Sequence, residues 1–174
     1  MNTSRKILLA GVAAISTTAA TSSAFAQSSA SATATSSVTV FQPIALAATA
    51  QLAFGKVTKP SSGTQSFVIA AANAATSITG SGSGGTFVPG FTQTRAIFRA
   101  TGEGGQAVTF TVPATVSMGG LTLTTTNTGT TGSLSGSIGS AGTLDLGVGG
   151  SIDIAANTVS AAYSGNIVVS VAYN

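Results

Sequence analysis

The 174-residue chain contains no cysteine, no histidine and no tryptophan. Loss of His and Cys together removes the commonest general bases, activated nucleophiles and soft metal ligands. Disulfides are excluded as well, so stability has to come from packing and hydrogen-bonded ladders. Charge is equally scarce, at 5% of residues. Arg5 and Lys6 precede an apolar run, and the rest of the chain sets Lys56, Lys59, Arg95 and Arg99 against Glu103, Asp145 and Asp153, a net charge of +1. Four basic residues make no stripe for nucleic acid or anionic lipid. These shortages predict a protein that is not an enzyme, with no catalytic residues, no cofactor and no nucleic-acid partner.

What is present begins with an export signal. Arg5-Lys6, the apolar residues 7–15 and the small-residue site Ala24-Phe25-Ala26 follow the order of a secretory signal peptide. The apolar run is too short for a stable bilayer span. Cleavage after Ala26 leaves residues 27–174 and implies Sec export, the periplasm in transit, and then the cell surface or medium. No second long apolar run follows, so no transmembrane segment is expected in the mature chain. Residues 27–37 are Ser, Ala and Thr after Gln27, with Ala30, Ala32 and Ala34 on even positions and Val38 and Val40 in the same phase. This stretch reads as a flexible leader or as an arm that becomes a strand on meeting a partner.

Residues 38–174 read as one domain of short strands. Pro43 divides a first edge strand into residues 38–41 and a piece from Ile44. Further strands are expected around Phe67 and Ile69, Ile78, Arg95 to Ala100, Val108 to Val112, Thr115 to Met118, Leu121 to Leu123, Leu134 to Ile138, Leu144 to Val148 and Ser151 to Ile154, punctuated by Gly and Pro. The last strand is the clearest: Ile167, Val169, Val171 and Tyr173 alternate with Val168, Ser170 and Ala172 after the Gly165-Asn166 turn signal. No helical period occurs after residue 26. The pattern predicts an all-β, immunoglobulin-like sandwich. Its surface is rich in Ser and Thr and poor in charge, and would tolerate close contact with copies of itself because few charges need desolvating.

Single features carry little chemistry. Gly80, Gly82 and Gly85 match a dinucleotide fingerprint by letter, but Thr86-Phe87-Val88-Pro89 cannot open the helix that would receive phosphate. Lys56 and Lys59 flank a turn as solvated charges. Arg95 and Arg99 are expected to lay their stems over Ile97 and keep their heads wet. Glu103, inside a glycine turn, is expected to be hydrated. With Leu144, Leu146, Val148, Ile152 and Ile154 all inward, a three-residue loop of Val148, Gly149 and Gly150 would set Asp145 opposite Asp153. That pair would repel unless a cation such as Ca²⁺ lay nearby, and too few oxygens are at hand for calcium, so no metal site is assigned.

Three ordered stretches resemble a known family. They are Val40-Phe41-Gln42-Pro43-Ile44-Ala45-Leu46 with Leu52-Ala53-Phe54-Gly55; Ala96-Ile97-Phe98-Arg99-Ala100-Thr101-Gly102 with Val108-Thr109-Phe110-Thr111-Val112-Pro113; and Leu146-Gly147-Val148-Gly149-Gly150-Ser151-Ile152 with Tyr163-Ser164-Gly165 and Val169-Ser170-Val171-Ala172-Tyr173. Together they look like a bacterial family of secreted β proteins classed as a domain of unknown function, placed near Mat/Ecp-type fimbrial major subunits and spore-coat-U-like pilins. The resemblance implies an incomplete sandwich completed by a donor strand and assembled through a periplasmic chaperone and usher. It implies a donor arm at Ala30, Ala32, Ala34, Val38 and Val40. It also implies that Ile167, Val169, Val171 and Tyr173 border the acceptor groove, where the chaperone docks. The expected function is a structural subunit of a surface filament or coat that associates with itself. The alternative is a monomeric periplasmic or surface binding module, for glycans.

Overall fold

The computed structural model describes residues 29–174; the expected signal peptide and cleavage site lie outside them. The chain divides into two units, residues 1–38 and 39–174. Residues 29–38 are exposed and carry no strand. The second unit is all β, with no helix among the described residues.

Ten strands follow in order: β1 (Ala45–Ala50), β2 (Thr64–Ile69), β3 (Thr76–Gly80), β4 (Ala96–Glu103), β5 (Ala107–Thr111), β6 (Thr115–Ser117), β7 (Thr122–Asn127), β8 (Thr131–Ser133), β9 (Ala141–Ala155) and β10 (Ser170–Tyr173). They make two antiparallel sheets, one of seven strands and one of three, β10-β5-β8. The expected β-sandwich is present. Residues 38–41 form no strand, however, and β8 lies just before Leu134 rather than over residues 134–138. Ile138 is exposed in a turn instead.

The 15-residue β9 is the spine of the larger sheet. Val148 is paired with both Ala96 of β4 and Asn127 of β7, and Gly150 with both Ile69 of β2 and Thr125 of β7. A strand has two edges, so β7 takes one while β4 and β2 follow each other along the other. One face of β9 supports two cores in succession. Leu146 and Val148 pack with Ala96, Phe98 and Ala100 of β4, Val108 and Phe110 of β5, and Leu134. Ile152 and Ile154 pack with Phe54, Phe67, Ile69, Val116 and Leu123. The second core has a cross-strand row, Ile78–Phe67–Ile152–Leu123–Val116, running through five strands. Beside it on the opposite face runs Ser77–Val68–Ser151–Thr124–Thr115. Alternation of period two puts phenylalanine and isoleucine inside and mostly hydroxyls outside.

The unbroken β9 corrects one expectation. Residues 148–150 do not turn, and Asp145 and Asp153 stand eight positions apart on one strand, roughly 26 Å at the usual rise. Residues 144, 146, 148, 152 and 154 share a parity, so a straight strand satisfies the inward pattern without a loop. Gly147 and Gly149 serve close approach instead. A Cβ on Gly149 would lie 2.6 Å from the Ala71 nitrogen, and one on Gly147 would lie 3.0 Å from the Arg95 guanidinium.

Candidate functional site

The smaller sheet ends at β10, and the larger sheet ends at β1. β10 pairs only with β5, from Ser170↔Thr111 to Tyr173↔Val108. β1 pairs only with β4. The two end strands approach each other without a ladder between them among the described residues. Half-buried apolar side chains line this seam over the first core: Ile44 and Leu46 on one side, Ile167, Val169, Val171 and Tyr173 on the other. The alternation expected for 167–173 is present in burial, with Val168, Ser170 and Ala172 exposed. Only residues 170–173 are ladder-paired, and 167–169 reach the core without being a strand.

One end of the seam is closed by a polar clasp. Tyr173 Oη accepts from the Glu103 N–H at 2.6 Å and donates to the Gln42 carbonyl at 2.8 Å. The Glu103 carboxylate accepts the Gln42 N–H at 3.1 Å on one oxygen and the Gly139 N–H on the other. Glu103 is 2% exposed, which corrects the expected hydrated turn charge. Backbone donors from two distant segments, Gln42 and Gly139, meet the carboxylate and satisfy a charge that burial would otherwise penalise. The Phe41 ring lies 5.7 Å from that of Tyr173. Gly102 admits the phenol, since a Cβ there would meet Tyr173 Cζ at 3.1 Å and its hydroxyl closer still. Sequence reasoning singled out Tyr173 but missed both its partners.

The other candidate groups are dispersed. Val38 and Val40, at 86% and 81% exposure, are uncovered, as are Ala30, Ala32 and Ala34. Lys59 is exposed, and Lys56 Nζ lies 4.4 Å over the Phe91 ring. The Arg95 guanidinium, on a half-buried residue, donates to the Ala71 carbonyl at 2.5 Å and to that of Ala72. Ser66 donates to Asp153. Among the described residues no group of three or more His, Cys, Asp or Glu side chains comes together.

Arg99 and Asp145 face each other across β4 and β9, joined by Nε and Nη2 at 2.7 Å each. Those bonds hold the Asp145 carboxyl below the ordinary carboxylate value, against the opposing effect of burial. A depressed value means stabilisation that is present at neutral pH and lost as pH falls through the folded-state value. Both side chains are about half exposed, so solvent reduces the consequence for stability. An NMR titration is expected to show Asp145 titrating lower than in Arg99→Gln, with the difference narrowing in 1 M salt. An unchanged midpoint in that variant would contradict the pairing.

No helix of the described residues is long and apolar enough to cross a membrane. Neither the curated proteins nor the solved structures include a match to the chain. A family model does match, over residues 44–173, a span that takes in all ten strands and the seam. The chain therefore belongs to the family described as Domain of unknown function (DUF4402).

Proposed function

We propose that this chain is a non-enzymatic structural subunit of a surface filament or coat, exported by the Sec pathway and assembled by strand complementation. The observation that carries the reading is the seam. Two end strands from different sheets border one strip of half-buried apolar side chains, and neither edge has a partner on that side among the described residues. An unpaired edge beside exposed core is what β-augmentation uses: main-chain bonds supply affinity, and alternate side chains fill the strip. The occupant is the arm of a second copy, with Ala30, Ala32, Ala34, Val38 and Val40 on its inward face. The likeness to Mat/Ecp-type and spore-coat-U-like subunits supports the same reading, with a periplasmic chaperone covering Ile167, Val169, Val171 and Tyr173 before assembly.

The row Ser77–Val68–Ser151–Thr124–Thr115 supports assembly too, since it carries hydroxyls and one valine and little charge to desolvate, Asp153 beside it being bonded by Ser66. Deleting residues 27–37 is expected to abolish polymers in size-exclusion chromatography and negative-stain microscopy while circular dichroism still reports a folded β monomer. Normal polymerisation by the truncated protein would overturn the donor-arm assignment.

A further inference from the structure

The second core is covered differently from the first. The three-stranded sheet lies over the first core, whereas residues 51–59 and 158–166 pass over the second and leave a cleft of about 920 Å³ between them. That volume is within the usual range for small-molecule sites, roughly 300–1,000 Å³. Its apolar wall includes Leu52, Val57, Met118, Leu121, Ile152 and Ile154. Leu52, Val57, Met118 and Leu121 are only half buried, so an apolar occupant would remove real area from water.

Charge narrows the class of occupant. Lys56 and Lys59 are the only lysines after residue 26, and both line this cleft, on the same wall. No Asp or Glu lines it. The chain's own acids are engaged elsewhere: Asp145 with Arg99, Asp153 with Ser66, and Glu103 buried in its clasp. The arm proposed above has no acid at all between residues 27 and 42. An anion that meets these lysines has to come from outside the chain. Access is available on the other wall, because among the described residues no main-chain hydrogen bond ties residues 159–169 to a neighbouring segment. That wall can shift without breaking a ladder.

We infer that the cleft between residues 51–59 and 158–166 binds a free single-chain amphiphile with a carboxylate head, its tail against Met118, Leu121 and Ile152 and its head at Lys56 and Lys59. This activity does not depend on assembly. The test is isothermal titration calorimetry of mature protein (residues 27–174) with dodecanoate below its micelle concentration, and with dodecan-1-ol as the uncharged counterpart. Saturable binding at one ligand per chain is expected. Lys56→Gln/Lys59→Gln should bind dodecanoate about five- to tenfold more weakly, as two solvent-screened charge contacts would predict, and bind the alcohol unchanged. Raising salt to 1 M should produce the same selective loss. Met118→Trp, which sets an indole across the apolar wall where the tail would lie, should weaken binding of both ligands while its circular dichroism stays native.

Absence of saturable heat, or binding only once micelles form, would overturn the inference. So would equal dodecanoate affinity in wild type and the lysine double variant. A synthetic peptide of residues 29–41 that binds wild type, fails on Met118→Trp and cannot be displaced by dodecanoate would also overturn it, by making the cleft a strand seat.

Discussion

Gly149→Ala is expected to cost about 3–5 kcal/mol and to leave little folded protein, although it adds one methyl group. Gly149 does not adopt the left-handed backbone that favours glycine. The obstacle is space: a Cβ would press on the Ile69 carbonyl oxygen and sit 2.6 Å from the Ala71 nitrogen and 2.8 Å from the Ala70 carbonyl carbon. All three are backbone atoms, so no side chain can swing aside. Relief requires β9 and the end of β2 to separate where Ile69 pairs with Gly150 and where Arg95 holds the Ala71 carbonyl. Overpacking a well-filled site costs about 1–3 kcal/mol when side chains can yield, and more when a ladder has to open. Urea unfolding followed by circular dichroism measures the cost. Ser151→Ala on the same strand serves as a control and should stay within about 0.5 kcal/mol of wild type. A Gly149→Ala loss below 1 kcal/mol would show that β2 and β9 are less tightly joined than these distances require.

Much of the fold was legible because period-two alternation reports faces directly. The inward positions 167, 169, 171 and 173 and the common face of 144 to 154 could be read without a structure. The seam's residues were legible for the same reason. What failed was the meaning of glycine. Gly149-Gly150 signals a turn when chain reversal is the demand and close approach when a neighbouring strand is the demand, and local sequence does not distinguish them. Long-range polar pairs were hidden more completely. Arg99 and Asp145 are 46 positions apart, and Tyr173 lies 131 from Gln42. No periodicity links such residues; only strand register brings them together. Glu103 misled because glycine neighbours read as a solvated turn, while the backbone N–H groups that satisfy its carboxylate come from Gln42 and Gly139, 61 and 36 positions away.

Glu103→Ala is expected to cost about 2–4 kcal/mol, by removing the buried acceptor that two backbone N–H groups share. The carboxylate uses both oxygens as acceptors, one for Gln42 and one for Gly139. Removing it breaks two charge-assisted bonds from exposed residues that water can partly re-satisfy, so each loss is about 1–2 kcal/mol. Glu103→Gln separates charge from shape. An amide keeps one acceptor and turns an NH₂ toward the second N–H, so it should lose about 1–3 kcal/mol rather than recover wild-type stability. Tyr173→Phe removes the hydroxyl shared by the Glu103 N–H and the Gln42 carbonyl, and a loss of about 1–3 kcal/mol is expected. Urea denaturation gives the energies. Hydrogen exchange places them: amides of Ala172 and Asn174, which face β5, should exchange faster in Tyr173→Phe, because the clasp secures a short strand that is paired on one side only. Unchanged exchange there would mean that β5 alone holds β10. If exchange accelerates while the first core stays protected, the clasp governs how open the seam is, and a strand entering the seam would meet an edge already held in register.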